Sequence, residues 1–394
     1  MLILGLDVCK DSVVAWPLVE VPRNLKTHFK ENKRPIKDDP LKFYANSRGI
    51  AGLLALEPDA VIMEPTGVHY SWIFAHICGK HDIPVLWVGH SEVRHYRKQN
   101  KLPDKSDQAD ALALAAYALS HWGEDEFFIS FSPGAAVKLR ECYLQLKSLA
   151  RIQSPIINRL RQQLAREFPE AALKESKPAA DGLSPLWAWV AGRERKTTKR
   201  SFTYSRLHEK SIAPIYGVQI SGFSRRLAGW LCDIHQWERE LEFEIRELLN
   251  LPEFTPYTQV FRGFGFGLRT QALILSQIYP ISRFDSLGGF KRRLGMAKVE
   301  ESSGDREAFI TGAGSKMCRS ALYLWVITGI APARNRLKSS AVEKLGSFYD
   351  ERRSRFAGTE DNSVKGFGSL IICQTAAYGC RLLFKELKRS IYLP

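Results

Sequence analysis

Two closely spaced apolar runs open the chain, LILGLDV at 2–8 and SVVAWPL at 12–18, with a short polar break between them. Runs of that length and spacing predict a β-hairpin or meander. The stretch from about 20 to 45 is polar and rich in Lys, Pro and Asn, and reads as an exposed loop or insertion. Beyond it SRGIAGLLALEP predicts a helix, DAVIM (59–63) a buried strand, VHYSWIFAHICGK a mostly buried helix and IPVLWV (83–88) a further strand. Strand, helix, strand, helix, strand is an α/β pattern with a parallel component. GHSEVRHYRKQNKLPDK is basic and mostly polar, and reads equally as a positive binding surface or as a solvated loop, whereas the Ala- and Leu-rich QADALALAAYALSHW predicts a helix.

From Pro133 the period changes. Leu149, Ile152, Ile156, Leu160 and Leu164 recur at three and four, predicting a long amphipathic helix over roughly 135–168 with an irregularity near Pro155. Leu227, Trp230, Ile234, Trp237, Leu241, Ile245 and Leu248 mark a second over about 222–250. Two such stripes fit an antiparallel hairpin within the chain or a coiled-coil dimer stalk. The segment 171–220 between them reads as irregular. Three domains are expected: 1–130, 131–254 with a basic insertion at 171–220, and 255–394 with a basic tail.

Lys and Arg exceed Asp and Glu by 15 residues, enough for a lasting positive field. Within 192–210, Arg193, Arg195, Lys196, Lys199, Arg200, Arg206 and Lys210 stand with Phe202 and Tyr204, a mixture that suits a phosphate backbone with base stacking and equally a solvated linker. The tail 331–394 adds twelve basic residues against six acidic ones. No apolar stretch is long enough to span a bilayer and the N-terminus does not read as a secretory signal, so nucleic acid rather than membrane is the expected partner. The seven cysteines are scattered singly and read as reduced core or helix residues of a cytosolic protein. His69, His76, His81, His90 and His95 lack the spacing of a metal centre.

Four acids carry the candidate chemistry. Asp7 closes the first strand, Glu64 follows the third in MEPTG, and Asp107 and Asp110 share the first turn of the Ala-rich helix. Parallel neighbouring strands would bring Asp7 and Glu64 to one sheet edge, where α/β active sites gather. Three or four carboxylates around two divalent ions would explain the cost of placing these acids together, and oxygen donors suit Mg²⁺ or Mn²⁺. Taken singly, Asp107 or Asp110 also suits a helix cap and Asp7 a turn. Glycines 263, 265 and 267 precede a further helix and offer a phosphate grip like that of a helix-hairpin-helix module.

GLDVCK, MEPTG and DKSDQADA together resemble the DEDD catalytic domain of the insertion-sequence 110 transposases, including the bridge-RNA-guided recombinases. RGFGFGLRTQALILSQI, SRFDSLGGFKRRLGMAKVEESSG and ITGAGSKMCRSALYLW resemble that family's second domain. The resemblance implies a RuvC/RNase H-like catalytic domain, a long-helix middle and a small, mainly helical C-terminal domain. It implies Mg²⁺ on Asp7, Glu64, Asp107 and Asp110, and a serine nucleophile in ESSG that becomes joined to a DNA end. Ser303 matches that position, with Ser302 adjacent. It further implies donor and target DNA, a structured guide RNA, homodimers that pair into a tetramer, and a cytoplasmic, nucleoid-associated setting. Arg262 stands where the family's glycine-rich turn usually has Pro. Glu300 and Glu301 are unusual company for DNA unless Arg292, Arg293 or Arg306 holds them. The competing function is a RuvC-type, metal-dependent endonuclease for branched DNA, with water as its nucleophile.

Overall fold

The computed structural model describes residues 1–65, 67–104, 106–124, 127–129, 134–179, 182–193, 199–303, 306–357 and 367–392, with backbone alone at 67–69, 199–202, 298–303, 306–313, 356–357 and 367. The chain divides into two compact units, Met1–Phe131 and Ser132–Pro394.

The first unit is built on a five-stranded sheet of β1 (Ile3–Val8), β2 (Ser12–Leu18), β3 (Lys42–Tyr44), β4 (Ala60–Met63) and β5 (Val85–Trp87), in the order β3-β2-β1-β4-β5. The two apolar runs form the antiparallel β1/β2 hairpin, while β1/β4 and β4/β5 are parallel. This is the mixed sheet of the RuvC-like class. Strand alternation splits its side chains between two cores. Leu4, Leu6, Val13, Val61 and Met63 lie on one face with Phe74 of α3 (Gly67–Lys80), and Ile3, Val14, Trp16 and Ile62 lie on the other with α5 (Asp107–Ser120).

Three segments of this unit differ from expectation. The polar 20–45 stretch contains α1 (Leu25–Asn32) as well as β3. Asn24 caps α1 by accepting from the Thr27 amide at 3.0 Å, and Leu25 and Phe29 anchor it, the latter stacked on Trp16. Two apolar residues in eight leave too thin a stripe to reveal the helix by composition. The same holds for the basic 89–105 segment, where α4 (His90–Gln99) buries Val93 alone and gains from Glu92 in its first turn and Arg97 and Lys98 in its last. Helix α3 is less buried than its WIFA run suggests. Tyr70, Trp72 and Ile73 are exposed because only one face meets the sheet, and α2 (Ser47–Leu54) packs elsewhere on that side.

In the second unit, α6 (Ala135–Glu167) and α11 (Gly222–Leu249) form an antiparallel pair within the chain. Near one end Leu139, Cys142, Leu146 and Leu149 meet Leu241, Ile245 and Leu249; near the other Leu160 and Leu164 meet Leu227, Leu231 and Cys232. The 171–220 segment is not irregular throughout. It carries α8 (Pro185–Ala191), α9 (Lys199–Glu209) and α10 (Ile212–Ile215), following α7 (Pro169–Ala172), with Trp187 buried and the Trp189 indole donating to Ser205 at 3.0 Å. The remaining chain forms α12 (Thr255–Phe264), α13 (Leu268–Ile278), α14 (Leu287–Arg293), a hairpin of β6 (Ala297–Ser303) and β7 (Arg306–Ala313), then α15 (Lys316–Trp325), α16 (Ser340–Ala357) and α17 (Phe367–Tyr392). AKVEESS, which has no helical stripe, forms the first strand of that hairpin. Its register ends with Ser303 opposite Arg306.

Candidate active site

Strand pairing and one helix start bring the acids together. Leu6 pairs with Met63 across the parallel β1/β4 ladder, so Asp7 and Glu64 follow at the same edge of the sheet. Ser106 caps α5, accepting from the Ala109 amide, and sets Asp107 and Asp110 in the first turn. Helix α5 lies against β1 at the face to which Gly5 and Asp7 belong, by the two-residue period of a strand.

The electrostatics record the crowding. Burial, reinforced by the charges of Asp110, Asp107 and Glu64, pushes Asp7 up to about 7 against the pull of Arg97. Burial also raises Glu64, opposed by His90, whose Nδ1 is hydrogen-bonded to the Glu64 carboxylate. Asp110 is raised by burial although the Arg97 guanidinium binds it directly; Arg97 also reaches Asp104 at 3.1 Å. A half-buried carboxylate among three like charges is an arrangement that a bound cation relieves.

Asp7, Cys9 and Asp107 each offer a ligand atom, all within 4.8 Å of one another. Burial, with Asp107 and Asp7 nearby, pushes the Cys9 thiol up to about 11, so it is neutral at physiological pH and its Sγ contacts Asp107 Oδ2 at 3.7 Å. The charged donors are therefore the carboxylate oxygens, which suit a hard divalent cation better than a soft one. The residues present fit a metal site. Glu64 and Asp110 stand beside this trio, held by His90 and Arg97 rather than directed into it.

Ser303 ends β6 in the second unit, and its side chain, with those of Ser302, Glu300 and Glu301, lies outside the described residues. The same is true of the Lys105 position, of Arg195 and Lys196, and of the Lys199, Arg200 and Phe202 side chains. Within the basic segment, Arg193 is paired with Asp233 and Tyr204 packs beside Trp189 rather than standing free. The glycine-rich turn joins α12 to α13 with Gly265 at φ +66°, and Phe254, Tyr257, Phe261, Phe264 and Phe266 are buried around it.

Residues 4–169 match the DEDD family model described as a transposase, and residues 261–340 match the model of the transposase IS116/IS110/IS902 family. The chain belongs to that transposase family. A comparison with curated proteins gives no match.

The acid cluster of this transposase contains three residues that the sequence pattern did not single out as a set. Cys9 is neither a core nor a helix cysteine; it follows β1 and stands beside Asp7 and Asp107. His90 and Arg97 sit on α4 and bind Glu64 and Asp110, fixing two acids that would otherwise repel their neighbours. The one signal for His90 and Arg97 was the basic segment ahead of the Ala-rich helix, which reads as a positive surface or a solvated loop. No helix is long and apolar enough to cross a membrane among the described residues.

Proposed function

We propose that this transposase cuts and exchanges DNA strands with Asp7, Glu64, Asp107 and Asp110 holding Mg²⁺, or Mn²⁺ in its place, and with Ser303 as the nucleophile. The observation that carries the reading is the raised Asp7 at the edge shared with Glu64 and α5: an acid cluster in a protein otherwise surplus in positive charge. Bound divalent ions there would stabilise charge on the phosphodiester and help to activate its attacker. The chain's own contribution is placement. The parallel β1/β4 register aligns Asp7 with Glu64, His90 and Arg97 fix two carboxylates, and Cys9 donates to Asp107.

Attack by the serine hydroxyl forms an Oγ–P bond as the phosphodiester P–O bond breaks, and the leaving oxygen takes up a proton. ESSGDR holds no histidine, so activation must come from outside the segment. Donor and target DNA are the substrates, with a structured element-encoded RNA as guide. Homodimers that pair into a tetramer would bring two active sites to two duplexes. Exposed Trp230 and Trp237 on α11, with Phe223 at the same seven-residue spacing, support such an interface.

The test compares Ser303→Ala, Ser302→Ala and Asp7→Asn in a strand-exchange assay that also traps protein–DNA adducts under denaturing conditions. Ser303→Ala should keep DNA binding and lose both exchange and adduct. Activity in both serine variants with none in Asp7→Asn would favour the water-dependent endonuclease.

A further inference from the structure

Beside the acids, the 33–42 segment and the start of α5 enclose a cavity of about 390 Å³. That volume lies within the range of roughly 300–1,000 Å³ typical of small-molecule clefts. Asp107 and Ser106 form one wall, so the cavity opens onto the carboxylate edge of the sheet. Val14, Phe29 and Ile36 supply apolar surface, and Lys33 and Lys42 supply positive charge. We propose that this cavity is a nucleotide subsite, seating the base and sugar of a DNA strand beside the carboxylates. The inference rests on the reading of the acid cluster as the site that handles the phosphodiester.

The walls are built rather than incidental. Asp39, buried, accepts from Arg34 Nε at 2.7 Å, from Gln108 Nε2 at 2.8 Å and from the Leu41 amide at 2.9 Å. The Gln108 Oε1 accepts from the Arg34 amide at 3.0 Å, which ties the segment to the residue beside Asp107. Arg34 also donates to the Ala15 carbonyl at 2.8 Å and lies 4.7 Å over the Trp16 ring. Its charge is thereby matched by Asp39 and its place is structural. Lys33 and Lys42 differ: neither has a carboxylate partner among the described residues. Lys42 lies 5.5 Å from the Tyr44 ring and lines the cavity together with Asp107, which sets its charge beside the acid cluster.

A wall of apolar side chains with unpaired ammonium groups at its rim matches one chemical class well. A nucleotide offers a flat π-face for stacking and a phosphate for the cations. Ile36 is 93% exposed at this rim, a large apolar side chain left in water until something covers it. A DNA strand whose phosphate is held at the carboxylates through divalent ions would carry its neighbouring base and sugar toward the cavity that Asp107 lines. Occupancy by the guide RNA instead is an outcome that the test separates.

The experiment uses the full-length protein, Mg²⁺, and labelled DNA containing the cleaved bond, with a single abasic site walked along each strand. One position flanking the cut should bind and cleave about tenfold worse when its base is removed. In Lys33→Ala/Ile36→Ser the intact DNA should lose a similar factor, and removing that base should then cost nothing further. Both substituted residues are exposed, and unchanged thermal melting confirms an intact fold; Lys33→Glu provides a second variant with the same expected direction. A flat abasic scan, the same tenfold loss in wild type and variant, or a response only to abasic sites in the guide RNA would overturn the subsite. Asp7→Asn, assayed in parallel, reports on the metal site alone, because abasic sensitivity in binding is read without cleavage.

Discussion

A β-carbon placed on Gly5 would lie 1.9 Å from the carbonyl oxygen of Ala111 and 2.6 Å from the Ala115 amide. Strand and helix backbones therefore meet with no side chain between them. Gly5 is two residues before Asp7 and Ala111 is one after Asp110, so the contact that packs α5 on β1 also sets the spacing of the carboxylates. Gly5→Ala should lower stability by about 2–4 kcal/mol, or displace α5 and abolish divalent-ion binding. Gly79→Ala, where an added β-carbon meets nothing within 4 Å in helix α3, should be neutral or slightly stabilising. Thermal melts with and without Mg²⁺ check both; a Gly5→Ala protein with wild-type melting and metal response would contradict the packing argument.

Asp7 gives the metal-free protein a pH dependence of defined sign. Its folded value of about 7 lies above its ordinary 3.8, so the native state holds the proton more tightly than the unfolded chain in that window. Stability should fall as pH rises from about 4 to 7 and level off above. Since a metal competes with that proton, the Mg²⁺-induced rise in melting temperature should be small at pH 5.5 and full by pH 8. Asp7→Asn should flatten both profiles, which melting curves across the range will show.

Glu167 predicts the opposite slope in the second unit. It is buried, and burial pushes its carboxyl up, but hydrogen bonds from Ser224 and Ser221, including the Ser221 amide at 3.2 Å, outweigh this and hold it below its usual value. The stability it contributes is present above about pH 4.5 and is lost as pH falls through the folded value. Glu167→Leu should destabilise by about 1–3 kcal/mol at pH 7 and by less at pH 4, measured by urea unfolding.

Gly314 closes the base of the β6/β7 hairpin at φ +95°, where a β-carbon would fall 1.6 Å from the Arg292 carbonyl oxygen. Gly314→Ala should strain this hairpin and cost strand exchange at least tenfold, while Asp7-dependent metal binding in the first unit stays unchanged. Parallel loss of both would place the defect in global folding instead.

Trp230→Ala/Trp237→Ala removes two exposed aromatics from α11. Sedimentation should show a smaller assembly with unaltered helix content; an unchanged mass would place the oligomer interface elsewhere.

The parts legible in the sequence are those with a strong period or composition. The β1/β2 hairpin, β4, the Ala-rich α5 and the extents of α6 and α11 all follow from it. The α11 stripe was only half informative. Trp230 and Trp237 lie about a quarter-turn round the helix from buried Leu227, Leu231 and Ile245, so a three-and-four spacing joined core positions to exposed ones. Helices α1 and α4 were hidden because caps, charges and one or two anchors hold them rather than an apolar face. The β6/β7 hairpin was hidden because neither AKVEESS nor REAFITGA keeps a two-residue alternation along its length. At the acid cluster the strand ends pointed to Asp7 and Glu64, but a lone cysteine, a histidine and an arginine in polar segments carry no period from which Cys9, His90 and Arg97 could be assigned.

The α6/α11 pair also has a length. Thirty-three residues of α6, at 1.5 Å each, extend about 50 Å from Ala135 to Glu167, with one core along its first half and another along its last turns. One turn of duplex measures about 34–36 Å. Within this unit the helix pair is therefore a ruler longer than a DNA turn. A duplex laid along this pair would pass through more than one full turn between the two ends of α6.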